Sequence, residues 1–103
     1  RIVYNLVENA IKYNFSGGTV TVTATQQNSQ LHLTVEDTGN GIPEELKERI
    51  FEPFFRLDKS RSRELGGVGL GLALVREIVR VHNGSILVKN NANSGTTFEV
   101  IFP

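Results

Sequence analysis

Three short segments carry the residue types that do chemistry. Asn5 and Asn9 stand one helical turn apart, so their amide oxygens share a face. Mg²⁺ takes hard oxygen ligands and is usually shared with substrate phosphates, so neutral amides suffice where phosphates bring the charge. Two solvent-exposed asparagines are the plain alternative. Asp37-Thr38-Gly39-Asn40-Gly41 follows an alternating apolar stretch. A free aspartate carboxylate at a strand end accepts from an exocyclic amine such as adenine's, and glycines let a ring lie close. An ordinary turn competes with that reading. A calcium loop does not, because Asn40 sits at the wrong offset and no glutamate follows at EF-hand spacing. Gly66-Gly67-Val68-Gly69-Leu70-Gly71 opens a helical pattern, where backbone N–H groups meet anions at the positive helix end. It lacks the Gly-Lys-Ser/Thr ending of a Walker loop. It also lacks the dinucleotide fingerprint, since Leu72 follows the glycines and a charged stretch precedes them. A hinge with close helix–sheet contact competes here.

These segments need elements to position them. Residues 1–13 are expected to form a helix with Val3, Leu6, Val7, Ala10 and Ile11 as its apolar stripe and Glu8–Lys12 as an ion pair. Thr19 to Thr25 alternates in β-branched residues, which predicts a strand buried on one face; Leu31 to Val35 predicts its hairpin partner. Pro43 with Glu44 and Glu45 predicts a short helix over 43–50. Phe51 to Phe55 is an aromatic knot broken by Pro53, and residues 56–67 read as a mobile loop. A second helix is expected over 68–82, with Leu70, Leu74, Ile78 and Val81 inward and Asn83-Gly84 as its stop. Ile86 and Val88, then Phe98, Val100 and Phe102, form a last hairpin around the turn from Asn90 to Gly95. The fold class is α+β: a two-layer sandwich, helices on one face of a mostly antiparallel mixed sheet, with a threonine-rich face towards water.

Composition narrows the chemistry. The 103 residues form one domain, 1–103, and carry 11 Lys plus Arg against 11 Asp plus Glu. A neutral chain has no general pull towards nucleic acid or anionic lipid. No cysteine is present, which excludes disulfides, thiolate metal sites and cysteine nucleophiles. No apolar run approaches the roughly 18 residues of a membrane span.

Together and in this order, the segments resemble the ATP-binding catalytic domain of sensor histidine kinases, in the superfamily shared with DNA gyrase, the mismatch-repair ATPases and the heat-shock chaperone ATPases. Asn5-Leu-Val-Glu8-Asn9-Ala-Ile-Lys12-Tyr13 looks like the N box and Asp37-Thr-Gly39-Asn-Gly41-Ile42 like the G1 box. Phe51-Glu-Pro-Phe54-Phe55-Arg56 looks like the F box and Gly67-Val-Gly69-Leu70-Gly71-Leu like the G2 box. Gly95-Thr96-Thr97-Phe98 resembles the closing segment. The resemblance implies a Bergerat-type fold and ATP with Mg²⁺ as cofactors. Asn9 would hold the metal with Asn5 in support. Asp37 would accept from adenine N6 with Thr96 nearby, and Gly39, Gly41 and Ile42 would form the base slot. Lys12, Tyr13 and Arg56 would contact phosphates. The 56–67 stretch would close over ATP as a lid whose hinge is set by Gly67, Gly69 and Gly71; these glycines, with Leu70, would also meet the phosphates at the helix N-terminus, and Phe54 and Phe55 would be the lid's anchors or plain core.

Superfamily members that hydrolyse ATP or phosphorylate serine carry a glutamate at the place of Asn5, where it orients water or hydroxyl. An amide cannot be that base, so Asn5 favours transfer to a histidine, whose neutral imidazole needs none. Glu8 would assist the acceptor or only pair with Lys12. The acceptor histidine is missing: His32 lies mid-strand and His82 at a helix end, and neither has the H-E/D-x-R/K-x-P setting. The family's first strand and the front of its first helix are missing too. The resemblance therefore implies an N-terminally truncated fragment of a homodimeric receptor. Its partners would be an acceptor-histidine dimerisation domain and a response regulator receiver domain. Nucleic acid would not be a partner. The domain would be cytoplasmic, with anchoring in the bacterial inner or cell membrane through segments outside this chain. An ATPase or serine kinase of the same superfamily, and a non-catalytic nucleotide-sensing or docking module, are the alternatives.

Overall fold

The computed structural model describes residues 1–55, 70–92 and 94–103. Helix α1 (Ile2–Lys12) leads into strands β1 (Val20–Gln27) and β2 (Gln30–Asp37). Helix α2 (Gly71–Val81) precedes β3 (Ser85–Asn90) and β4 (Thr96–Phe102). The sheet order is β1-β2-β4-β3, and every pairing is antiparallel. Asn28 and Ser29, both at positive φ, make the two-residue turn of the first hairpin, a geometry whose twist matches that of the strands.

The register sets the core. Val22, Val35, Phe98 and Val88 lie in one cross-strand row, and Ala24, Leu33, Val100 and Ile86 in the next. Both helices cover this face: Leu6 and Ala10 of α1 and Val75 and Val79 of α2 share one buried cluster with Leu33, Val35, Phe98 and Val100. On the opposite face Thr21, Thr23 and Thr25 are exposed, as the threonine alternation predicts. There Glu99 bridges His32 at 3.5 Å and Lys89 at 3.7 Å, linking β2, β4 and β3. Among the described residues no helix is long and apolar enough to cross a membrane.

Four expectations need correction. In α1, Val3 and Ile11 are exposed, Ile11 by 63%, while Ile2 and Val7 flank the buried Leu6 and Ala10. The apolar arc is wider than the contact it makes. In α2 the inward residues are Val75 and Val79 with Leu72 packed beside them; Leu70, Leu74 and Val81 are exposed. Apolar residues fill most of this helix, so two stripes satisfy its period, and packing against α1 chooses between them. Gly71 faces α1, where an added Cβ would stand 3.2 Å from Asn5 Oδ1; Val75 and Val79 follow it at one-turn steps. Strand β1 is not half-buried. Val22 is 46% exposed, and everything from Thr21 to Gln27 is open, because β1 is an edge strand that the helix layer reaches only slightly; Val20 alone of this strand packs against the core. The short helix over 43–50 is two separate 3₁₀ turns, Glu44–Leu46 and Arg49–Phe51. Pro43 keeps an extended ψ of 140° and stands before the first turn, and tight i→i+3 turns suffice to sink Ile50 and Phe51 into the core.

The end of α2 divides labour between two residues. Asn83 takes the left-handed conformation at φ 61°, and Gly84 N donates to Val79 O at 2.9 Å. Gly84 is needed for a different reason: a Cβ there would come within 2.7 Å of Ile101 O on β4.

The corrected face of α2 predicts a contrast. Val75→Ala should cost about 2 kcal/mol of stability through lost burial and a residual cavity. Leu74→Ala should stay within about 0.5 kcal/mol. Urea unfolding of both variants checks this, and equal losses would restore the other stripe.

Candidate functional site

The site is built where β2 and β4 part. Their ladder ends at Glu36↔Thr97. One residue further, Asp37 Oδ1 accepts from Gly39 N at 2.8 Å and from Thr96 N at 3.2 Å. Asp37 and Thr96 are buried. Among the described residues no donor reaches Asp37 Oδ2 and no buried side-chain polar atom lacks a partner, so Oδ2 keeps contact with solvent. Burial pushes the Asp37 carboxyl above its ordinary value; the Gly39 and Thr96 amides pull it down and the Glu36 charge pushes it up again. The result is a fixed carboxylate with one oxygen anchored and one presented.

Glycines make the surrounding loop possible. A Cβ on Gly39 would collide with Tyr13 O, so the end of α1 and the 37–42 loop touch only because that position is bare. Gly41 has φ +82°, and its added Cβ would lie 3.0 Å from Asn90 Oδ1. Ile42, expected in the base slot, is 5% exposed, and its side chain belongs to the core.

The loop is also held by side chains whose part the sequence did not disclose. Asn14 Nδ2 donates to Thr19 O at 2.9 Å, and its Oδ1 accepts from Thr38 Oγ1 at 3.2 Å. Thr19 N donates to Thr38 Oγ1 at 2.9 Å. From the opposite side, Asn90 accepts from Ile42 N at 2.8 Å and donates to Ile42 O at 2.9 Å. Asn91 Nδ2 donates to Asp37 O at 3.0 Å, and Ser94 Oγ to Gly39 O at 2.6 Å. The only sequence signal was the density of Asn and Ser before Gly95, which reads equally well as a turn.

Helix α1 runs away from this loop and carries the remaining candidates. Tyr13 adjoins Gly39, and Lys12 and Asn9 lie at and one turn behind it. Asn5 is roughly 12 Å from Tyr13 along the axis at 1.5 Å per residue. Asn5 Nδ2 donates to Arg1 O at 2.8 Å, which turns Oδ1 towards Gly71. Arg1, Asn5, Leu70, Gly71, Ala73 and Leu74 line a cleft of ≈ 500 Å³ between the starts of the two helices. Glu8 lies by the Tyr4 hydroxyl, whose pKa it raises by hydrogen bonding and by its charge. Phe55 packs on the core with the Arg49 guanidinium 4.9 Å from its ring centre, whereas Phe54 is 69% exposed at positive φ. Arg56, Gly67, Gly69 and the expected 56–67 lid lie outside the described residues.

The structure thus brings Asp37, Gly39, Gly41, Thr96 and Tyr13 together at one end of α1, and Asn5, Leu70 and Gly71 at the other. Its arrangement offers a flat acceptor site beside bare glycines, then amide oxygens along a helix.

Comparison with known proteins gives one answer throughout. The sequence model described as "Histidine kinase-, DNA gyrase B-, and HSP90-like ATPase" matches residues 1–103. The signal transduction histidine-protein kinase ArlS of Staphylococcus aureus (strain USA300) is 45% identical over 96 residues, covering 93% of this chain. The chain spans only 21% of that relative's length. The mycobacterial sensor histidine kinase MprB superposes with a TM-score of 0.85 at 34% identity, over 99% of this chain and 67% of the other. The catalytic domain of histidine kinase ThkA gives 0.83 at 36% identity, over 99% and 63%. ThkA is also solved in complex with the response regulator protein TrrA, at 0.78 and 34% identity, over 99% and 27%.

The buried carboxylate has a consequence for stability without ligand. Its pKa in the fold is raised, so its contribution to stability is full at acid pH and is lost as pH rises through that pKa. Asp37→Asn keeps the Oδ1 acceptor for both amides and removes the buried charge. At about pH 7 the nucleotide-free variant should melt at or above the parent, with the gap narrowing towards about pH 4. A variant that melts lower at neutral pH overturns this account.

Proposed function

The chain belongs to the histidine kinase-, DNA gyrase B- and HSP90-like ATPase family, and from that premise we propose that it serves a two-component sensor histidine kinase as its ATP-binding catalytic domain. In this reading the longer protein transfers the γ-phosphate of ATP to a histidine on a separate dimerisation domain. The observation that carries the reading is Asp37, with Oδ1 tied to the Gly39 and Thr96 amides and Oδ2 open.

Asp37 Oδ2 accepts from the adenine N6 amine, with Thr96 at its side. The bare faces of Gly39 and Gly41 let the ring approach. Phosphates then run along α1 past Tyr13 and Lys12 towards Asn9. Gly71 and Leu70, at the start of α2, meet them from across the cleft. Arg56, Gly67 and Gly69 join this set on the strength of their sequence motifs. The amide oxygens of Asn9 and Asn5 suit a hard cation shared with phosphate, and Asn5 Oδ1 accepts no hydrogen bond among the described residues. Those two residues would hold Mg²⁺, which supplies charge neutralisation on the phosphates.

Asn5 has no base chemistry, which fits an imidazole acceptor. The histidine nitrogen bonds the γ-phosphorus as the β–γ bridging bond breaks, ADP leaves, and the imidazole N–H proton passes to solvent. Glu8 is exposed on α1 and in this reading would assist the acceptor domain. The longer protein is proposed to be a membrane-anchored homodimer. This domain would lie in the cytoplasm and the phosphate would pass on to a response regulator.

Calorimetric titration with ATP tests the base site. Asp37→Asn should lose about 1.5–3 kcal/mol of binding, because an amide turns a donor towards a donor. Unchanged affinity would remove Asp37 from the site. Asn9→Ala, in the longer protein with its acceptor domain, should abolish Mg²⁺-dependent phosphohistidine labelling. Undiminished labelling would assign the metal elsewhere.

A further inference from the structure

We propose that Asn90, together with Ser94, is a positioning residue for adenine recognition, so that the turn between β3 and β4 sets which base the site accepts. The inference rests on the ATP-binding reading above and adds a specificity element to it. β3 is an edge strand, and no backbone ladder joins it to the segment leaving the loop. The Asn90 side chain takes that place. Its amide offers one acceptor and one donor, the pair a peptide group offers, and it engages Ile42 N at 2.8 Å and Ile42 O at 2.9 Å.

The other contacts of this turn fall on the same loop in order. Asn91 holds Asp37 O, Ser94 holds Thr38 O at 3.2 Å and Gly39 O at 2.6 Å, and Asn90 holds Ile42. Asn91 is itself fixed, since its N donates to Gly95 O at 2.9 Å and its Oδ1 accepts from Thr97 Oγ1. The entry, middle and exit of the loop are therefore pinned to one turn, and Thr96 of the same hairpin anchors Asp37 Oδ1. Reading one exocyclic amine requires the acceptor to be held within about 0.5 Å of its productive place. Gly41 turns the chain at positive φ between these pins, and its missing Cβ leaves the room that Asn90 Oδ1 uses.

Asn90 and Ser94 are both exposed, so truncating either leaves the core intact. The test compares ATP with inosine triphosphate, which carries a carbonyl in place of the N6 amine and the same ribose and phosphates. Titration of the 103-residue chain gives the two Kd values, and their ratio reads base recognition separately from phosphate binding. The parent chain should prefer ATP by tenfold or more. In Asn90→Ala and in Ser94→Ala the ratio should fall at least threefold, mainly through weaker ATP binding, with inosine triphosphate affinity held within about twofold. A purely structural staple would lower both affinities together or shift only the melting temperature, and that result in either folded variant overturns the proposal. A ratio near one in the parent chain overturns the adenine reading itself, separately from any role of Asn90.

Discussion

One carboxylate oxygen closes the sheet and opens the site. Where the β2–β4 ladder stops at Glu36 and Thr97, the next amide, Thr96 N, finds no backbone acceptor and turns to Asp37 Oδ1. The same oxygen takes Gly39 N and so forms the turn that leaves the strand. The backbone carbonyl that Asp37 frees is taken by Asn91, and Gly95 lies so close to it that any side chain would collide. Strand splaying, which otherwise strands buried polar groups, is here made good by side chains. The carboxylate that does so is the group the nucleotide reading requires.

That arrangement stores cost as well as order. A carboxylate is buried against its preference for water. Phe54 sits at φ 68°, a conformation that a bulky residue rarely adopts. The buried carboxylate belongs to the candidate site, while the rows of Val35 with Phe98 and Leu33 with Val100 obey ordinary packing rules. Binding surfaces commonly concentrate strain that the rest of a fold absorbs.

The contrast also explains what was legible in the sequence. Both hairpins could be read from β-branched alternation, and both helices from apolar recurrence, because those signals are local. Asp37, Gly39 and Gly41 stood out because two glycines so near a strand end demand special backbone geometry. The inward stripe of α2 was illegible because Leu72, Leu74, Val75 and Ile78 satisfy more than one face, and contact with α1 makes the choice. The exposure of β1 was illegible because alternation is the same for an edge strand as for a half-buried one. The asparagine clamps were hardest. Asn90 meets Ile42 across 48 positions and Asn91 meets Asp37 across 54, and an Asn-rich turn looks the same whether or not a loop lies against it.

The first hairpin has a consequence for how such domains can vary in length. Strand β2 runs from Gln30 at the Asn28–Ser29 turn to Asp37 at the site, so the turn lies about 23 Å away at some 3.3 Å per residue. Nothing from Thr21 to Ser29 is buried, and no described side chain of the site leans on that end. Extra residues spliced between Asn28 and Ser29 would extend into solvent and leave the strand register anchored by Leu33 and Val35. The tip of this hairpin is therefore the place where the chain tolerates a graft, whether a peptide tag or a whole inserted module.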